Sequence, residues 1–191
     1  GGFGQAPKFP NESYLYFLLE YAILSGKEDN LNAAIKTLHT QSCGGIYDQI
    51  AGGFHRYSTD QNWLIPHFEK MLYNQANLSF VFAQAYTITG AKDFKRVACE
   101  ILDYVSHEMT NQDGSFYSAT DADSEGEEGL FFTWNKKEIE ALLKDDAEEF
   151  IKLYQVTAAG NFERKPKTTD LVNYRNIIHC YFYYWVRFKR F

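Results

Sequence analysis

Cysteine, methionine and proline are scarce in this chain, at three, two and four residues. Cys43, Cys99 and Cys180 stand far apart, with no Cys-x-x-Cys pair and no zinc-ligand spacing. That usage excludes a disulfide framework, a dithiol redox motif and a structural zinc site, and predicts reduced thiols in an intracellular setting. Cys43, beside Gly44, is the one cysteine placed to react. Basic residues form no block before the last few positions, and the net charge is -6, so nucleic acid is not an expected partner. No apolar run approaches the roughly 20 residues that span a bilayer, so no membrane association is expected. Neither an initiating Met nor a signal peptide precedes Gly1. The chain therefore reads as the interior of a longer protein, with any targeting segment upstream. No cofactor or metal is called for.

Aromatic residues are abundant instead: 17% of the chain, with 14 Tyr and 16 Phe, inside a hydrophobic share of 45%. Such a chain can bury a large core, which sets disorder aside. Tyr and Trp pair an apolar ring with a polar handle, so the surplus suits the lining of a pocket as well as a core.

Helical periodicity dominates. Asn11 or Ser13 can cap a helix carrying Leu15, Leu18, Leu19, Ala22 and Ile23, which Ser25-Gly26 ends. A second helix is predicted from Asp29 to His39, before Cys43-Gly44-Gly45. After a loop to Ile65, Pro66 opens the longest predicted helix, to Thr89. Lys92 to Met109 forms the next, and one or two more lie between Lys136 and Tyr154 with Asn135 as cap. Strand signal is confined to the loops, where residues 116–118 and 130–133 suit a brief hairpin. Glycine followed by an aromatic recurs at Gly2-Phe3, Gly44-Gly45-Ile46-Tyr47, Gly52-Gly53-Phe54 and Gly114-Ser115-Phe116-Tyr117. Helix, Gly-aromatic loop, helix is the pattern of a ring of helical hairpins whose aromatics point into the mouth. Ordinary helix C-caps with hydrophobic contacts would give it too. The expected fold is all-α with at most short β hairpins; the partial (α/α)6 toroid is what the family resemblance of the blocks below implies.

Polar chemistry concentrates between Gly44 and Asn77, in Asp48, His55, Arg56, Asp60, Trp63, His67, Glu69 and Lys70. On a helix opened by Pro66, His67, Lys70, Asn74 and Asn77 would fall within about 80° of one another, a polar strip suited to a cavity wall. Histidine near its ordinary pKa exchanges protons at neutral pH, and a carboxylate or arginine holds a sugar hydroxyl or an enediolate. His67 and Glu69 would equally serve as first-turn polar groups, and Arg56 as a partner for Asp48 or Asp60. A second group, Asp121, Asp123, Glu125, Gly126 and Glu127, opens like a calcium loop. Phe132 occupies the place of its bidentate Glu, so no calcium site is expected.

Several long blocks carry a family resemblance: Ala6-Pro7-Lys8-Phe9-Pro10, the run Asp48 to Asp60 with its His55-Arg56-Tyr57-Ser58-Thr59-Asp60, Pro66-His67-Phe68-Glu69-Lys70-Met71-Leu72-Tyr73, and Phe116-Tyr117-Ser118-Ala119 with Asp121-Ala122-Asp123-Ser124. Over residues 1–163 they resemble the spermatogenesis-associated, thioredoxin-domain-containing protein family, in the part similar to N-acylglucosamine 2-epimerase and six-hairpin glycosidases. The resemblance implies a thioredoxin-like domain upstream as a partner and a toroid of about six helical hairpins, of which this chain holds part. It implies a carbohydrate ligand and an epimerase- or isomerase-like reaction, with the fragment alone inactive. His55, His67 and Glu69 are the expected catalytic residues; Arg56, Trp63, Lys70, Asp48, Asp121 and Asp123 are the expected substrate contacts, with Trp63 as a stacking platform. A non-catalytic scaffold for the thioredoxin-like domain and a glycoside hydrolase using the loop carboxylates are the competing readings. Residues 164–191 depart from the family pattern, as an atypical C-terminal segment.

Overall fold

The computed structural model describes residues 1–162 and 174–180. The expected boundary at residue 163 and most of the atypical segment lie outside them. Four helices form two antiparallel hairpins. The first joins α1 (Glu12–Ser25) to α2 (Glu28–Cys43), and the second joins α3 (Leu72–Thr89) to α4 (Lys92–Glu108). Connections this short leave consecutive helices no choice but to lie side by side. At both tight turns a glycine takes the left-handed conformation that ends a helix cheaply. Gly26 has φ 66° and Gly90 φ 69°, and their N–H groups donate to Ala22 O and Tyr86 O.

The hairpins pack through α1 and α3. Leu15 and Leu19 of α1, Ala34 and Leu38 of α2, Leu78, Phe82 and Ala85 of α3, and Phe94, Val97 and Ile101 of α4 make one core. α2 runs one turn further than its apolar pattern indicates, because Thr37, Gln41 and Ser42 are buried polar residues that a hydrophobic count passes over. Gln41 spends its side-chain amide on Pro10 O at 3.1 Å. Tyr47 and Phe54 of the Gly-aromatic loops also enter this core. Tyr47 also lines a cavity, Phe54 is wholly buried, and Phe116 and Tyr117 are exposed.

The largest departure from the sequence reading is at Pro66, which opens no helix. Residues 66–71 are extended: β2 (Pro66–His67) pairs with β1 (Tyr57–Ser58), and β3 (Lys70–Met71) pairs with β4 (Ala119–Thr120), both antiparallel. Backbone groups that a helix would bond internally have tertiary partners here. Arg56 N–H donates to Glu69 O at 2.8 Å, and Leu72 N–H donates to Ser118 O at 2.9 Å. Proline at the start of a short strand removes no needed donor. The helical polar strip therefore does not exist for His67 and Lys70. Asn74 and Asn77 alone lie on α3.

The brief hairpin expected between 116–118 and 130–133 also pairs otherwise. Phe116 bridges to Thr110. β7 (Thr133–Trp134) pairs with β8 (Asn176–Ile177) from the far end of the described chain, a non-local partner no local pattern announces. Between them, β5 (Asp123–Ser124) and β6 (Glu127–Glu128) form a two-residue hairpin. Its turn residues Glu125 and Gly126 have φ 55° and 80°, which suits a turn with both central residues left-handed. Beyond it lie α5 (Lys136–Leu143) and α6 (Ala147–Leu153); Asn135 caps α5 as expected, in a reciprocal box with Glu138.

Candidate functional site

The loop from Gly44 to Met71 sits where α2 ends and α3 begins. Its tight course is fixed by Asp60, whose carboxylate accepts from Asn62 N–H at 2.5 Å, Ile65 N–H at 2.5 Å and Ser58 Oγ at 3.1 Å. That turn brings 66–70 back alongside 55–58. The ladder divides the expected site residues into two groups.

The first group is buried. Lys70, with no solvent-exposed surface, donates to Asp48 Oδ2 at 2.8 Å and Gly52 O at 2.9 Å, and its ammonium lies 4.0 Å from the Tyr104 ring centroid. Burial acts to raise the Asp48 carboxyl, but Lys70 and then His55 outweigh it, so Asp48 is held below its usual range. Burial also presses the Lys70 ammonium down, against the pull of Asp48. His55 is 2% exposed, and its Nδ1 lies 2.9 Å from Phe68 O. A carbonyl only accepts, so Nδ1 carries the proton and Nε2 is the acceptor of a neutral ring. Burial first, then the Lys70 charge, pushes its pKa down to about 3. Asp48 and His55 line a cavity of about 240 Å³ whose other walls include Phe68, Phe132, Trp134 and Ile177.

The second group is half-exposed. Arg56 Nη1 donates to Glu69 Oε2 at 2.8 Å, His67 Nε2 lies 3.8 Å from that same oxygen, and His67 Nδ1 lies 2.7 Å from Glu128 Oε1. The ring of Tyr57 stacks on His67 with centroids 5.1 Å apart. The result is a row, Arg56–Glu69–His67–Glu128, in which nitrogen-bearing side chains and carboxylates alternate. Glu128 is the member that sequence reasoning missed. The Glu125-Gly126 turn was its signal, since that turn folds Glu128 back opposite Asp123.

The remaining expected residues fall outside both groups. Trp63 is 1% exposed; its indole N–H donates to Gly1 O at 3.2 Å, and Lys8 covers the ring at 4.4 Å. A ring covered in this way offers no face to a sugar, which corrects the stacking role. Lys70 likewise uses its ammonium on internal partners. Asp123 neighbours the row through its pairing with Glu128, whereas exposed Asp121 accepts Asp123 N–H at 3.0 Å. Among the described residues, no group of three or more His, Cys, Asp or Glu is placed to hold a metal ion, and no helix is long and apolar enough to cross a membrane.

No family model matches the chain. Spermatogenesis-associated protein 20 of Rattus norvegicus is 39% identical over 93% of this chain, and that of Homo sapiens is 40% identical over 84%. The chain spans about a quarter of their length, 25% and 23%. Among solved structures, the cellobiose 2-epimerase of Spirochaeta thermophila superposes with a TM-score of 0.57 at 20% identity, covering 63% of this chain and 33% of that one. A sugar epimerase from a ruminal bacterium gives 0.56 at 15% identity, covering 78% and 42%. The superpositions make the helical hairpins part of an (α/α)6 toroid. The sequence identity makes the chain, over the quarter of their length that it spans, a member of the spermatogenesis-associated protein 20 family.

Proposed function

We propose that the toroid to which this chain contributes binds a sugar and moves a proton at the carbon next to its carbonyl, as an epimerase or isomerase does. The observation that carries the reading is the Arg56–Glu69–His67–Glu128 row, at the loop end of hairpins similar to those of cellobiose 2-epimerases and a D-mannose isomerase. A carboxylate only accepts, so the 2.7 Å contact to Glu128 puts the proton of neutral His67 on Nδ1 and leaves Nε2 as the base. When Nε2 takes the substrate proton, Glu69 at 3.8 Å meets the new N–H and stabilises the imidazolium. Arg56 holds the enediolate oxygen through the N–H groups that Glu69 does not occupy. Reprotonation from the same nitrogen, or from a second group on the opposite face, gives starting sugar or its epimer.

The fitting experiment uses a protein carrying the complete toroid. Aldoses, ketoses and N-acyl amino sugars are incubated in D₂O and the carbon next to the carbonyl is followed by NMR. Exchange should appear with at least one sugar and fall about 100-fold or more in His67→Ala. Sugar binding without exchange would reject the conversion. No binding of any sugar would reject the whole reading and favour a scaffold for the upstream thioredoxin-like domain.

A further inference from the structure

Away from that row, one pair of reactive groups comes together. Cys43 closes α2, and Cys180 lies three residues after β8. Both thiols are free and each is 6% exposed. Cys180 N–H donates to Cys43 O at 2.9 Å, and the two thiols are themselves in hydrogen-bond contact. The backbone bond and the contact between the thiols bring the two residues within reach of a disulfide, which needs thiols that meet and Cα atoms about 4.4–6.8 Å apart. The sequence put these cysteines far apart and promised nothing of the kind.

We propose that Cys43 and Cys180 are a disulfide-forming site for which a small hydroperoxide is the oxidant. The hydrogen bond to Cys43, and then burial, push the Cys180 thiol up, so Cys180 keeps its proton and Cys43 reacts first. The Cys43 thiolate attacks the O–O bond of hydrogen peroxide. A sulfur–oxygen bond forms, the O–O bond breaks, and the departing hydroxide takes up the proton that Cys43 released on ionising, to become water. Sulfur of Cys180 then attacks the Cys43 sulfenic acid, a sulfur–sulfur bond forms, and the hydroxyl departs with the Cys180 proton as a second water. The two thiols lose two electrons and the peroxide gains them. A small oxidant is required because the site is almost closed to solvent.

The cross-link has a structural consequence. Cys43 leads directly into Gly44-Gly45, and Cys180 follows Ile177-Ile178. Gly45, Ile177 and Ile178 all line the His55 cavity. Oxidation would therefore tie together two adjoining segments of that cavity's wall, which already meet at Gly45 and Ile177.

Cys99, which is exposed on α4, supplies an internal control. The native chain is treated with hydrogen peroxide, unfolded, alkylated and mapped by mass spectrometry, with and without reduction. The expected result is a Cys43–Cys180 cross-linked peptide that has lost two hydrogens and that reductant separates, while Cys99 appears only as a single thiol or its oxidised form. Cys43→Ser should abolish the peptide. The proposal is overturned if peroxide doses that oxidise Cys99 leave Cys43 and Cys180 both alkylatable, or if Cys99 is the main cross-linking partner. The wild-type map decides the matter even where Cys43→Ser fails to fold.

Discussion

Lys70 Nζ and Asp48 Oδ2 lie 2.8 Å apart with the lysine wholly buried, so each charge exists there because of the other. Desolvating a single ammonium costs far more than the pair does, and this asymmetry makes the contact a sensitive point. Asp48→Ala should destabilise the chain by about 3–5 kcal/mol, because it leaves Lys70 charged and without its carboxylate. Adding Lys70→Met should recover most of that loss. Urea unfolding of the two single variants and the double gives the coupling directly; a double variant no more stable than Asp48→Ala would mean that the pair is not the cause.

The course of this contact explains what the sequence disclosed. Helices α1, α3 and α4 announce themselves because their apolar residues recur at three and four, and glycine ends α1 and α3, a local code. Lys70 was legible as polar but not as buried, since its partner Asp48 comes from another part of the loop. The expected helical strip grouped His67 with Lys70, Asn74 and Asn77 and left Glu69 out; the extended ladder instead sets His67 beside Glu69 and buries Lys70. Glu128 had a local signal only in its turn; its meeting with His67 is a contact across 61 residues that no local pattern announces. Pairing of β7 with β8 depends on an even more remote segment. Local periodicity fixes elements; site geometry is decided by loops whose hydrogen bonds are non-local.

His55 should give the chain an acid-sensitive stability. Its folded pKa lies near 3, below the ordinary 6.5. Above pH 6.5 neither state holds the extra proton and the ring contributes nothing to the pH dependence. As pH falls below 6.5 the unfolded chain binds a proton that the native state refuses, so stability declines by up to about 1.4 kcal/mol per pH unit until pH nears 3. His39 and His179 are also pressed down by burial and add to the decline. The difference between wild type and His55→Gln isolates the one ring. Urea midpoints measured from pH 4.5 to 7 should slope less in the variant, and equal slopes would contradict the assignment.

Asn135 tests helix α5 separately from the two hairpins. Its side chain accepts Glu138 N–H at 2.9 Å, and Glu138 Oε2 accepts Asn135 N–H at 2.9 Å. Asn135→Ala removes the first bond and should cost about 1 kcal/mol. Hydrogen exchange should localise the loss to α5, with amides of α1 to α4 unchanged. A loss spread evenly over the chain would show that α5 unfolds only with the rest.

Gly45 and Gly90 separate two reasons for glycine. Gly90 has φ 69° with open space where a side chain would be, so Gly90→Ala pays only for the left-handed backbone, about 1 kcal/mol. Gly45 carries no positive φ, yet a Cβ there would lie 2.1 Å from Leu64 O and 2.4 Å from Ile177 Cγ2. The backbone contact cannot yield by a side-chain rotation, and Ile46 N–H already ties this loop to Trp63 O at 3.0 Å. Gly45→Ala should therefore cost more than Gly90→Ala, about 1–3 kcal/mol, and should push Ile177 away from the cavity it helps to enclose. Thermal unfolding ranks the two variants, and methyl NMR of Ile177 reports the displacement. If Gly45→Ala proved the milder change, the close packing of the loop against Leu64 would be refuted.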